Sequence, residues 1–158
     1  MLINNGSLAV NLHGIARKIK PQGRMEVIEA SVVTVEAGLE GDCRGRGGMT
    51  RKRQVTLLSE PEWDDVCREL GMKEPWHARR ANLLISELRF KATDLGRKLT
   101  IGNVVLQVTG ETEPCNRMED VCPWLKDTLS KRWRGGITCR VIKAGIIEVG
   151  DSVKWMTP

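Results

Sequence analysis

Residues 99–110, "LTIGNVVLQVTG", place two apolar arms around the dipeptide Gly102-Asn103. Arms rich in Leu, Ile and Val favour extended backbone, and a Gly-Asn pair between them suits a tight turn. The stretch predicts a β-hairpin, and the chain on either side repeats its texture. Downstream, "TCRVIKAGIIEVGDSVKW" (138–155) carries the same short runs, with turns expected at Ala144-Gly145 and Gly150-Asp151. Upstream, "LAVNLHGIARKI" (8–19), "RMEVIEASVVTVEA" (24–37) and "RQVTLLS" (53–59) read as further strands. Many short strands separated by turn signals predict a mainly β fold, a barrel or sandwich rather than a layered parallel sheet.

Two helices are expected to interrupt the strands. In "SEPEWDDVCREL" (59–70), Trp63, Val66, Cys67 and Leu70 recur at helical spacing, and Ser59 and Glu62 have the spacing of a capping box. In "MEDVCPWLKDTL" (118–129), Met118, Val121, Cys122, Leu125 and Leu129 would share one face of a helix over about 121–130, with Pro123 tolerated only in its first turn. With 158 residues and no repeat or linker, one domain spanning 1–158 is expected. A chain of that size buries about 70% of its unfolded surface, enough for a core without disulfides.

The 25 Lys and Arg exceed the 20 Asp and Glu by five, and "RGRGGMTRKR" (44–53) alone holds five bases and no acid. The surplus is therefore local. Such a run attracts phosphate groups or nucleic acid, or forms a solvated loop. No aromatic lies within it to stack on bases, which favours a small phosphorylated ligand and leaves nucleic-acid binding as the alternative. The five cysteines have no regular spacing, and the opening "MLINNGSLAVNL" lacks the basic start and apolar run of a signal peptide. No run reaches the roughly 18 apolar residues of a membrane span. A cytoplasmic protein with reduced thiols and no membrane partner is expected.

Zinc sites need close thiolate or imidazole pairs, but Cys115 and Cys122 stand apart and neither His13 nor His77 is near them in sequence, so no zinc is expected. His13, inside an apolar run, reads as a structural residue of the strand. No phosphate-binding loop ending in G-K-[ST] and no G-x-G-x-x-G occurs. "HARRANLLI" (77–85) sets Arg79, Arg80 and Asn82 before an apolar run, where guanidinium forks and an amide can converge on an anion or satisfy carboxylates on a turn. Cys115 follows Pro114, precedes an expected helix start and lies two residues from Arg117. A helix start and a neighbouring guanidinium both favour thiolate, the form a nucleophile or soft metal ligand requires. Cys67, Cys122 and Cys139 are expected to serve the core.

In order, "GLEGD" (38–42), "RQVTLLSEPEW" (53–63), "RRANLLI" (79–85), "LGRKLTIGNVVLQVTGETEPCNRME" (95–119), "RGGITCRVI" (134–142) and "GIIEVGDSV" (145–153) resemble the MOSC domain. That family is named for the C-terminal domain of molybdenum cofactor sulfurase. The resemblance implies a β-barrel of mostly antiparallel strands with a few short helices. It also implies handling of the molybdenum cofactor, a molybdenum held by a phosphorylated pterin dithiolene, or carriage of sulfur as a cysteine persulfide. The family's characteristic Pro-Cys cysteine matches Cys115, which becomes the expected catalytic thiol and molybdenum ligand. Arg79, Arg80, Asn82, Arg53, Arg117 and Asp42 are the residues expected to bind the cofactor. After "GLEGD" many members continue with a His or Arg pattern, whereas this chain has Cys43-Arg44-Gly45, so Cys43 is left without a role. Nothing in the chain resembles a pyridoxal-phosphate desulfurase, so sulfur would come from a separate cysteine desulfurase and electrons from a redox partner protein. Carrier, cofactor-binding accessory and small molybdenum-dependent reductase all fit this resemblance.

Overall fold

The structure, a computed structural model, describes residues 9–45 and 52–158. The predicted hairpin is present as β7 (Lys98–Ile101) and β8 (Val104–Glu111), paired antiparallel with Ile101 opposite Val104, which leaves Gly102-Asn103 as a two-residue turn. Its partners are β1 (Leu12–Arg17), β2 (Glu26–Ile28), β5 (Val55–Ser59), β6 (Leu83–Ile85), β9 (Ile137–Lys143) and β11 (Val153–Trp155). These form one eight-stranded sheet in the order β11-β7-β8-β9-β5-β6-β1-β2. A three-stranded sheet, β10-β3-β4, is built from β10 (Gly145–Glu148), β3 (Ala30–Thr34) and β4 (Gly38–Leu39).

The mainly β expectation holds, but the sheet is mixed and its ladder is not a closed barrel. β11 and β2 are its two ends. The β11 end approaches β1, the strand next to the other end, because the residues leading into these two strands lie antiparallel. A single Asn11–Ser152 bridge and the bonds Leu12 N–Asp151 O (2.8 Å) and Val153 N–Val10 O (3.0 Å) join them. Ala144-Gly145 also differs from a hairpin turn. There the chain leaves the large sheet, and β10 pairs with β3 rather than with β9.

Mixing arises at "RQVTLLS". β5 runs parallel to β6, and the connection between them is the helix α1 (Glu60–Leu70), as a parallel pair requires. All five residues of β5 are buried because its two faces serve two cores. Val55 and Leu57 join Leu83, Ile85, Leu106, Val108 and Phe90 inside the sheet, while Leu58 and Leu84 face Trp63 and Val66 of α1. The helix starts as predicted, with the Ser59 hydroxyl accepting from the Glu62 N–H at 3.2 Å. That cap contributes about 1 kcal/mol.

The second expected helix is instead two short ones, α2 (Arg117–Val121) and α3 (Leu125–Leu129). Pro123 disfavours helical backbone at the residue before it, and Cys122 is extended (φ −160°, ψ 136°). Trp124 follows with φ 72°, and the Glu119 carboxylate restarts the helix by accepting from Trp124 N (3.1 Å) and Lys126 N (3.0 Å). Met118, Leu125 and Leu129 still reach the second core, with Val121 and Cys122 partly buried against it. The apolar pattern is thus satisfied by two segments that follow the linker carrying Cys115.

Candidate functional site

Cys115 stands exposed on the linker between β8 and α2, on the wall of a cavity of about 290 Å³. The sheet topology brings distant segments to this cavity. Lys18 lies just past β1, Arg44 in the loop after β4, Arg53 just before β5, Arg79 and Arg80 ahead of β6, and Arg117 at the start of α2. Among the described residues the lining therefore has six cations and one carboxylate, Glu113. Residues 46–51 of the basic run lie outside the described residues. Arg44 and Arg53, near its two ends, share the cavity with Cys115.

The turn carrying Arg79 and Arg80 is held by packing. It spans Trp76–Arg79, and the Trp76 ring covers Gly14 of β1 so closely that a β-carbon there would lie 2.6 Å from Cζ2. Arg80 then adopts left-handed backbone (φ 69°) and donates from Nη2 to Gly23 O at 3.0 Å. Arg79, 5% exposed, donates from Nε to Gly135 O (3.2 Å) and from Nη2 to Thr112 O (2.9 Å). Only glycine at 135 admits this approach, since a β-carbon would lie 2.5 Å from Thr112 O. Arg79 thus lines the cavity while tying the Thr112–Cys115 linker to the entry of β9.

Two expected ligand residues have other work. Asn82, 1% exposed, accepts at Oδ1 from Thr56 N (3.0 Å) and donates from Nδ2 to Ala16 O (3.1 Å), stitching β1, β5 and the entry of β6. It does not line the cavity, so its amide is a structural group. Asp42, 2% exposed, is also absent from the lining. Its oxygens accept from Lys18 N (2.8 Å) and Arg44 N (3.3 Å), which holds those two cationic residues side by side.

Lys18 and Thr112 were missed at the sequence level. "ARKIK" reads as a solvated strand end, yet Lys18 is only 6% exposed, and nothing about a threonine before Glu113-Pro114 marks it. The Thr112 hydroxyl is buried on the cavity wall and has no hydrogen-bond partner among the described residues. Burial, followed by Arg53, lowers the Arg79 pKa to about 10, while Cys115 acts in the opposite sense. Burial and then Arg117 and Arg44 lower Arg80, and burial and then Arg80, Arg44 and Arg117 lower Lys18. The cavity is a region of concentrated positive charge in which an anion relieves repulsion.

The other thiols take the expected places in the core or against it. Cys139 is fully buried, with its pKa raised by burial alone. Cys67 packs partly buried against the second core, its pKa raised chiefly by burial. His13 lies within β1, as expected of a strand residue. It faces outward from β1, with Nδ1 2.8 Å from the Glu60 carboxylate.

Beside the linker, Glu111 has its pKa raised by burial first and by Glu113 second. A carboxyl with a raised folded pKa binds its proton more tightly in the native state. Stability therefore falls as pH rises from the ordinary 4.5 through the raised value. Glu111→Gln is expected to gain stability over the parent as pH rises through that window, with the difference vanishing at lower pH. Thermal melts across the acid range check this, and a constant difference would contradict it.

With the fold and the cavity in view, comparison with known proteins places the chain. The MOSC domain family model matches residues 41–154, and the chain belongs to that family. The YuaD protein from Bacillus subtilis is similar at 17% identity and a TM-score of 0.76, over 92% of this chain and 94% of that one. YiiM from Escherichia coli is similar at 17% identity and a TM-score of 0.70, over 94% and 70%. YiiM from Geobacillus stearothermophilus is similar at 16% identity and a TM-score of 0.64, over 96% and 75%. At these identities the likeness is one of fold. Comparison with curated protein sequences finds no match. Among the described residues no helix is long and apolar enough to cross a membrane.

Proposed function

We propose that this domain binds the molybdenum cofactor through its phosphorylated pterin dithiolene, or carries sulfur as a persulfide, with Cys115 as the thiol in either role. The observation that carries the reading is the exposed Cys115 sharing one cavity with six cations and a single carboxylate. The residues suit the group. A thiolate is a soft ligand for a metal already bound by sulfur, and the unpartnered Thr112 hydroxyl and surplus cations suit an oxygen-rich anion. When bound, the cofactor would supply the redox chemistry of its metal. The chain would hold its metal at the Cys115 sulfur and its anionic end with Arg44, Arg80 and Arg117, while Arg79 fixes the linker.

In the carrier role, the Cys115 thiolate would attack the terminal sulfur of a donor persulfide, such as that of a cysteine desulfurase. The donor's S–S bond breaks, the donor leaves as a thiolate, and Cys115 keeps the sulfur with no net oxidation. Both roles need a partner protein, a sulfur donor or a redox protein, and both fit a single domain acting in the cytoplasm. Intact-mass analysis of protein from a host that makes the cofactor separates them. A molybdenum-pterin adduct supports the cofactor role, and a one-sulfur increment on the Cys115 peptide supports the carrier role. An unmodified chain in both this protein and protein incubated with a persulfide donor would contradict the reading.

A further inference from the structure

Both roles of Cys115 need a second protein, and one surface beside the thiol has the features of an interface. Trp124 is 68% exposed, the largest exposure of any large apolar side chain among the described residues. Its backbone is left-handed (φ 72°), a conformation that is costly for a bulky side chain and free for glycine. The indole makes no ring stacking or cation–π contact with any described residue. Its place is nevertheless fixed, because the Glu119 carboxylate holds the amides of Trp124 and Lys126. Lys126 in turn donates from Nζ to Asn116 Oδ1 at 2.7 Å, which ties α3 to the residue next to Cys115. Beside this tie lies a hollow of about 320 Å³ lined by Glu111, Glu113, Pro114, Lys126 and Ser130. Glu113 also lines the Cys115 cavity, so the two adjoin with opposite charge, six cations in one and two carboxylates with one ammonium in the other. Neither Glu111 nor Glu113 forms an ion pair with any described residue. A cation seated in the hollow relieves their mutual repulsion.

We propose that this face docks the protein that donates sulfur to Cys115, with Trp124 as the apolar anchor and the Glu111–Glu113 hollow as the seat of a basic side chain beside the donor's persulfide. This rests on the carrier reading of Cys115. Charge complementarity selects the occupant, since an anionic persulfide is drawn to the cavity cations while a lysine or arginine next to it meets the two carboxylates. Tryptophan suits the anchor, because a rigid ring buries much area in a partner's pocket at a small cost in side-chain entropy. The docked donor presents its terminal sulfur to the Cys115 thiolate. The new S–S bond forms as the donor's S–S bond breaks, and the donor cysteine leaves as a thiolate.

Two sulfur donors are compared on the cofactor-free full chain, with sulfur on the Cys115 peptide read by mass. One is a cysteine desulfurase charged with L-cysteine, taken from a host that makes the cofactor, and the other is glutathione persulfide, which needs no docking face. The parent is expected to load faster from the desulfurase at equal donor concentration. Trp124→Ala is expected to load from the desulfurase at least about ten-fold more slowly, the effect typical of losing an aromatic anchor, and from glutathione persulfide at the parent's rate. Glu111→Gln, outside the Cys115 cavity, is expected to slow only desulfurase loading, by a factor that shrinks as salt is added. Parent rates from the desulfurase in both variants, equal slowing with both donors, or a parent no faster with the desulfurase would each overturn the docking face. A parent that sediments as a dimer beside a monomeric Trp124→Ala would give the face to a second copy and overturn it as well. If glutathione persulfide loads Cys115 while the face fails, the carrier reading stands. If neither donor loads Cys115, that reading falls and the face with it.

Discussion

Arg79→Met is expected to lower the stability of the fold by about 2–4 kcal/mol, a large share of the roughly 5–15 kcal/mol that holds a domain of this size. The substitution leaves the carbonyls of Gly135 and Thr112 buried without their donor. Each such loss costs about 1–3 kcal/mol. Part is recovered because the guanidinium is itself poorly solvated, as its pKa lowered to about 10 indicates. Arg79→Lys should recover little, since its compact head lacks the planar fork that reaches both carbonyls. Urea unfolding of the variants and the parent measures the effect as a shift in midpoint at constant slope. A midpoint equal to the parent's would mean that Arg79 serves only a ligand and that the linker needs no such tie.

Strands and the start of α1 were legible because they depend on local chemistry. The Gly102-Asn103 turn, the Ser59 cap and the apolar phase of Glu60–Leu70 each follow from neighbours within a few residues. What escaped was decided by distant partners. Nothing local tells β10 to pair with β3 instead of β9, or that Asn11 and Ser152 meet where the β11 end approaches β1. The same division holds in the cavity. Cys115, Arg53, Arg79, Arg80 and Arg117 all reach it, but their relative roles depend on burial. Asn82 looked like a ligand because it follows two arginines, and it proved to be the residue that joins three strand segments. Lysine is usually solvated, and it is the distant Asp42 side chain and Cys43 N–H that hold the Lys18 backbone at the cavity wall. Pro123 was read as a start signal, whereas its effect on Cys122 makes it a break.

Cys115→Ser is expected to leave the fold intact and to abolish retention of metal or sulfur. The side chain is exposed and makes no hydrogen bond with any described residue through its sulfur, so little native structure depends on it. A serine hydroxyl is far less acidic than a thiol and its oxygen is a harder ligand, so it neither holds a soft-ligated metal well nor forms a persulfide. Surface changes of this kind usually alter stability by no more than about 0.5 kcal/mol. The buried Cys139 offers a contrast. Its replacement by serine should destabilise the core by placing an unpartnered hydroxyl there, while leaving an independent route to ligand loading wherever the protein folds.

Molybdenum, pterin and sulfane sulfur measured side by side on the parent and on Cys115→Ser, both purified from a host that makes the cofactor, test the central claim most directly. The parent should carry molybdenum with pterin, or sulfane sulfur, and the serine variant should carry neither while melting at the parent's temperature. Equal loading of the two proteins would show that Cys115 is not the functional thiol.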